Sequence, residues 1–378
     1  MRFPLPLIDL SAPPIQAKTT AWLDRQIYAD RMSSSGDPFT ITREQEIENP
    51  RMGRPHFVLL GAGASKAALP NGDKNGMELP LLRDVAVDLD LAAAFPKDLR
   101  ELAASDFEAA YSRLFDQDPK KAVPIEDAIA DYFRRLRLPD EANLYDGLLL
   151  SLRSKDAVFT FNWDPLLFTS RVRLNQLGLT DDLPSMFYLH GNVIAGYCER
   201  DNVFGWTNGK CSVCGRPFTP ARLLFPVEHK DYDTDPGIRA AWQAARRVLK
   251  DTYMPTVFGY SAPATDVEAF RLLKEGWGKI GEREMEQTEI IHRPGADTRK
   301  LVEKWEPFIH THHYELHDSF YTSWLGKHPR RSGEAFLSQY VDAKFIEDNP
   351  IPQGITDLAE LVAWFEPLIE AERRAGIR

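Results

Sequence analysis

Leu59-Leu60-Gly61-Ala62-Gly63-Ala64-Ser65 follows directly on Phe57-Val58, and this short stretch decides the fold. Phe57–Leu60 is an unbroken apolar run, the pattern of a strand buried on both faces. Gly61 and Gly63 let the backbone turn sharply and approach a ligand closely. Ala64 onwards can open a helix, with Ser65 near its N-terminus. A strand, a glycine turn and a helix start predict an anion site, because free backbone N–H groups point outward there. The ligand class this predicts is a phosphate-bearing nucleotide. Its candidate binding residues are Gly61, Ala62, Gly63, Ala64 and Ser65.

The dinucleotide fingerprint Gly-x-Gly-x-x-Gly is incomplete, since Lys66 stands at its third glycine. A P-loop is excluded, because no Gly-Lys-Ser/Thr follows at the required spacing. Taken alone, Gly-x-Gly also fits an ordinary strand-to-helix turn.

Further apolar segments end in polar residues. Val158–Phe161 runs into Asn162-Trp163-Asp164, Met186–Leu189 into His190-Gly191, and Thr256–Phe258 into Gly259-Tyr260-Ser261. Each ending has a structural reading as well. Asn162 and Asp164 could cap a helix beginning at Pro165. His190 could be a satisfied histidine at a strand end, and Ser261 part of a turn before Ala262-Pro263.

Read together and in this order, Gly61-Ala62-Gly63-Ala64-Ser65, Asn162-x-Asp164, His190-Gly191 and Gly259-x-Ser261 resemble the signatures of the sirtuin family. The resemblance spans roughly residues 55–295. It implies NAD as substrate, with the glycine turn on the diphosphate. Asn162 and Asp164 would serve the carboxamide and the nicotinamide-side ribose. His190 would be the base, with Gly259 and Ser261 at a phosphate or the adenosine ribose. The residue types suit these roles independently: an imidazole can take a proton from a hydroxyl near neutral pH.

The chain also departs from protein-deacylating sirtuins. Their Gly-Ile-Pro-Asp-Phe-Arg run is replaced by Ala68-Leu69-Pro70-Asn71-Gly72-Asp73. The Gln before Asn is Phe161, and the peptide-docking Phe-Gly-Glu is replaced by Phe225-Pro226-Val227-Glu228. Water is then the expected acceptor, giving nicotinamide and ADP-ribose. These departures, with the segment 259–266, resemble the bacterial sirtuin-like NADases of antiphage defence, in which NAD depletion aborts infection. A chain of this size is similar to the subunit that pairs with a hexameric HerA-type ATPase. The resemblance implies a homo-oligomer with low basal activity. Two other readings stand beside it: a protein deacylase or ADP-ribosyltransferase, and a non-enzymatic nucleotide-sensing or scaffold subunit.

Strands alternating with helices predict an α/β architecture, a Rossmann-like, mostly parallel sheet with helices on both faces. The expected organisation is an N-terminal extension over 1–53 without a clear strand, a catalytic domain over 54–300, and a helical C-terminal extension over 301–378. Within the domain, 81–154 reads as a helical insertion. Leu99, Leu102, Phe107, Tyr111 and Leu114 recur at helical spacing there, as do Ile125, Ile129, Phe133 and Leu136. Residues 192–235 read as a small irregular module. Helices are expected from Pro165, over 236–250 and over 266–273, with a last strand at Thr288–Ile291.

Cys211-Ser212-Val213-Cys214 is a zinc-type knuckle, and Cys198 is the one other cysteine in the sequence. Sirtuins use two such pairs, but here the first is Cys198-x-x-Asp201. Cys198, Cys211 and Cys214 with either Asp201 or His229 could hold structural zinc, and a metal-free turn is the alternative. A second cluster comprises His310, His312, His313 and His317. His313 and His317 stand one helical turn apart, but Tyr314 occupies the position of the zinc-protease Glu. A polar helix face or partner surface is the expectation there.

Three cysteines among 378 residues cannot build a disulfide framework and fit a reducing compartment, so cytoplasm is expected. No apolar run reaches membrane-spanning length, so no membrane is expected. The net charge of −10 argues against nucleic acid as a whole-surface partner.

Overall fold

The computed structural model describes residues 39–81, 84–225, 232–262, 266–279, 283, 286–309 and 313–377. Most of the N-terminal extension, His229, His310, His312 and the Pro226–Glu228 part of the docking segment lie outside the described residues.

Six strands form the central sheet: β2 (His56–Leu60), β3 (Ala157–Thr160), β4 (Ser185–Tyr188), β8 (Met254–Phe258), β9 (Thr288–Ile291) and β10 (Tyr314–His317), in the order β10-β9-β8-β2-β3-β4. Every pairing is parallel. From β2 the chain moves outward through β3 to β4. It then crosses back and moves outward on the other side through β8, β9 and β10. This is the doubly wound dinucleotide-fold order, and its direction reverses between β2 and β8.

Side chains alternate between two cores, as the strand period requires. Val58 and Leu60 face one core, which the helical segment 85–150 covers with residues such as Leu148 and Leu149. Phe57 and Leu59 face the other, against Trp242 and Ala245 of α9 (Pro236–Asp251) and Leu272 and Leu273 of α10 (Val267–Trp277). Phe57, Phe159 and Phe187 stack in succession across β2, β3 and β4, with ring centroids 4.6 and 4.9 Å apart. Within 85–150, α6 (Pro119–Arg135) buries Ile125, Ile129 and Phe133 on one face. It starts at the Asp118 cap with Pro119 in the first turn, where the missing N–H costs nothing.

Three expectations are corrected. Thr288–Ile291 is not the last strand, because Tyr314–His317 adds β10 to the edge of the sheet. His313 and His317 therefore share no helix turn. Residues 192–235 are not wholly irregular: β5 (Ala195–Cys198) pairs antiparallel with β6 (Val203–Trp206) and β7 (Thr219–Pro220). The N-terminal extension does contain a strand, β1 (Thr40–Ile41), parallel to β11 (Phe345–Ile346). The chain ends in α14 (Leu358–Ala375), which buries Phe365 and Leu368. No described helix is long and apolar enough to cross a membrane.

Candidate active site

The carboxyl ends of β8, β2, β3 and β4 lie side by side, and each delivers one of the motifs: Gly259 to Ser261, Gly61 to Ser65, Asn162 to Asp164, and His190. Open parallel sheets bind ligands at such a reversal of strand order.

The glycines have a packing reason that the sequence did not disclose. Gly61 donates its N–H to Phe258 O and Gly63 donates to Gly259 O, both at 2.9 Å. A Cβ on Gly61 would lie 2.6 Å from Gly259 O, and one on Gly63 2.8 Å from Gly259 Cα. Gly259 has φ +65°, and a Cβ there would lie 2.2 Å from Ala64 N. The turn after β2 and the turn after β8 thus interlock backbone to backbone.

This corrects the expectation of a row of free amides. The N–H groups of Gly61 and Gly63 serve the sheet, and that of Ala64 is donated to Gly61 O. Ala62 is exposed at the first position of its helix, α2 (Ala62–Ala68), and among the described residues its N–H has no acceptor.

Ser65 faces inward and is the hub of a buried network. It donates to Asp164 Oδ2 at 2.7 Å and lies 2.8 Å from Asn162 Nδ2 and 2.6 Å from the Tyr145 hydroxyl. Its one hydrogen goes to Asp164, so Tyr145 and Asn162 must donate to it. Asn162 also donates to Gly61 O at 2.9 Å. Both hydrogens of its amide are therefore engaged. Asp164 Oδ1 accepts from Leu166 N at 3.1 Å, at the start of α8 (Leu166–Gln176). The capping role of Asp164 is thus present together with its bond to Ser65. Burial pushes Asp164 up to about 6, against the hydrogen bonds from Ser65 and Leu166 that favour its charge.

His190 is buried beside Phe161, with ring centroids 4.5 Å apart, and its Nε2 lies 3.0 Å from the Tyr232 hydroxyl. Gly191 has φ +77°, and a Cβ there would strike Arg222 O at 2.0 Å, so the His-Gly step needs its glycine. Asn192 donates to Asp164 O at 2.6 Å and braces the β3 and β4 loops together. Ser261 is exposed, and its carbonyl accepts from Lys304 Nζ at 2.9 Å. Tyr145, Asn192 and Tyr232 were missed in the sequence. Tyr145 and Tyr232 reach the site from segments that carry no motif of their own, whereas Asn192 directly follows the His190-Gly191 pair.

The small antiparallel sheet brings Cys198, Asp201, Cys211 and Cys214 together, with their ligand atoms all within 4.8 Å of one another. Cys198 Sγ lies 3.6 Å from Cys214 Sγ, and Asp201 Oδ2 lies 3.1 Å from Cys211 Sγ. A tetrahedral zinc with bonds of about 2.3 Å places its sulfurs roughly 3.8 Å apart, so the donor set fits zinc. Asp201 supplies the fourth donor among the described residues.

His317 is engaged elsewhere. Its Nε2 stands 3.2 Å from Glu289 Oε1 and 3.4 Å from Glu315 Oε2. Burial works against its charge, but the two carboxylates outweigh it and hold His317 up to about 9. That pairing is structural, under the docked C-terminal segment.

No protein-family model and no curated protein matches the chain. Among solved structures it is similar to a Sir2 protein with a deacetylated p53 peptide and 3'-O-acetyl-ADP-ribose, at 15% identity and a TM-score of 0.36 over 78% of this chain and 98% of that one. It is similar to a Sir2 homologue–NAD complex at 16% identity and a TM-score of 0.35, over 79% and 93%. A third similar structure comes from work on the mechanism and regulation of Sir2 enzymes, at 13% identity and a TM-score of 0.35, over 77% and 99%.

Proposed function

We propose that the chain is an NAD glycohydrolase. The observation that carries the reading is the hydrogen-bonded group of Asn162, Ser65 and the Gly61 carbonyl, beside His190, at the point where the strand order reverses. In this reading the Ala62 amide and Ser261 meet the phosphates, and Asn162 Oδ1 accepts from the nicotinamide carboxamide. Asp164 acts from behind, by holding Ser65 and the start of α8.

Breaking the bond between the nicotinamide nitrogen and ribose C1 leaves an oxocarbenium-like centre, and neutral nicotinamide departs with the bonding pair. Water adds to C1 and gives up one proton, which His190 receives. NAD and water thus yield nicotinamide, ADP-ribose and a proton. Phe161 packs between His190 and Tyr260, with centroids 4.5 and 4.4 Å away, and offers an apolar wall beside the reacting centre.

The same reading makes the chain an antiphage effector that depletes NAD when activated. It would be held at low basal activity in a homo-oligomer and gated by a HerA-type hexameric ATPase. The sequence resemblance supports this wider role. Co-purification with a candidate ATPase, followed by NAD turnover with and without it, tests the gating. Equal turnover in both removes it. NAD-dependent loss of an acyl group from a peptide would favour a deacylase, and saturable NAD binding without turnover a sensor.

A further inference from the structure

Tyr232 lies 42 positions after His190, outside every motif, yet it contacts the His190 imidazole. Its hydroxyl is 3.0 Å from His190 Nε2. The phenol is buried, and that burial keeps it protonated through neutral pH. A hydroxyl carries one hydrogen. Among the described residues its hydrogen-bond partner is Nε2 alone, and only donation to Nε2 gives the buried phenol hydrogen an acceptor there. A neutral ring accepting at Nε2 carries its own hydrogen on Nδ1.

The ring plane is held as well. Tyr232 stacks on His190 at an interplanar angle of 22°, and Phe161 packs against it with centroids 4.5 Å apart. Trp242 of α9 meets Tyr232 edge-on at 5.0 Å. Trp242 is itself tied down by donating its indole N–H to Leu189 O at 3.2 Å. The residue before His190 thus anchors the tryptophan that supports the tyrosine that bonds His190.

We propose that Tyr232 is a positioning residue for His190: its hydroxyl selects the Nδ1–H tautomer and fixes the ring, so that Nε2 is the nitrogen that receives a proton. The catalytic half of this statement rests on the NAD-cleaving reading, whereas the tautomer does not. The single in-plane lone pair of Nε2 points at the phenol, so the proton released by water reaches the ring through it: the hydroxyl passes its hydrogen to Nε2 and takes the proton from water in its place. The ring is then an imidazolium with hydrogens on both nitrogens, and the phenol accepts from Nε2–H. One hydroxyl therefore serves both protonation states.

The test uses the full chain labelled with ¹⁵N-histidine, read by long-range ¹H–¹⁵N correlation above neutral pH. The His190 signals are identified by their loss in His190→Gln. The wild type should show a protonated Nδ1 and a bare Nε2. Tyr232→Phe keeps the ring stacking and removes the hydroxyl, and should shift His190 towards the Nε2–H tautomer that water favours. A wild-type ring already in the Nε2–H form, or a spectrum unchanged by Tyr232→Phe, overturns the assignment. In parallel, nicotinamide release by Tyr232→Phe should fall about tenfold or more in kcat, with KM for NAD within about threefold of wild type. An unchanged kcat, or a loss carried by KM alone, overturns the positioning role. A wild type that releases no nicotinamide with any partner refutes the NAD-cleaving reading alone, and the spectrum still decides the tautomer.

Discussion

Ser65 Oγ donates to Asp164 Oδ2 at 2.7 Å, and this single bond ties the helix after β2 to the loop after β3. It joins two motifs 99 residues apart at the centre of the sheet. It also leaves Asp164 satisfied from within the chain, with Leu166 N on its other oxygen.

The raised pKa of Asp164 sets a stability slope of definite sign. Its folded value is about 6 against the ordinary carboxylate value of 3.8, because burial disfavours the charge. The unfolded chain ionises first as pH rises. The contribution is whole below about pH 4, shrinks between about 4 and 6, and is gone above that, a loss of roughly 3 kcal/mol from this group. Asp164→Asn should flatten that part of the pH–stability curve, measured by urea denaturation, while abolishing nicotinamide release. Parallel wild-type and variant curves across the window would contradict it.

The interlocked turns make Gly259 intolerant of a side chain. Gly259→Ala combines φ +65° with a Cβ 2.2 Å from Ala64 N, and should destabilise the fold by at least ~2 kcal/mol. Gly53→Ala, where a Cβ meets nothing within 4 Å, serves as the control and should be close to neutral. Similar denaturation midpoints for the two variants would show that the turns do not interlock.

The cysteine cluster should carry one zinc per chain. Elemental analysis of purified protein should find it, and Cys211→Ser should lose it. Asp201→Ala should weaken retention against a chelator, and Asp201→Cys should restore it, because thiolate is the commoner structural ligand. Zinc retained equally in Asp201→Ala and wild type would remove Asp201 from the ligand set.

The C-terminal helix is held by buried charge. Glu372 accepts from Arg330 Nε at 2.8 Å and from Arg331 Nη1 at 2.6 Å, and all three side chains are buried. Removing one partner leaves guanidinium charge buried without its carboxylate, so Glu372→Ala should cost about 3–5 kcal/mol. An exposed pair, Arg374 with Glu48, should contribute under ~1 kcal/mol when broken. Comparable losses in the two would mean that α14 docks by apolar contact alone.

The four strands that carry motifs were legible because each is a short apolar run closed by Gly, Asn or His. The helices of 85–150 were legible because Ile125, Ile129 and Phe133 keep a helical period. β10 was not: Tyr314-Glu315-Leu316-His317 has no apolar run, and its side chains are only half-buried, with His317 set against Glu289 and Glu315 against Tyr340. The pair β1 and β11 is two residues long on each side and exists only through a contact some 300 positions apart. In the site, the sequence marked Ser65, Asn162, Asp164 and His190. It did not mark Tyr145, Asn192 or Tyr232, whose roles arise from tertiary packing. It also concealed that the Gly61 and Gly63 amides bond to the end of β8.

The most direct test of the central claim is the product profile from NAD, separated by HPLC and identified by mass spectrometry, for the wild type, Asn162→Ala and His190→Ala, each with its candidate activating partner. Nicotinamide and ADP-ribose in equal amounts from the wild type, and neither above background from either variant, is the predicted result. Nicotinamide release that survives both substitutions, or NAD left intact by the wild type under every partner condition, would contradict it.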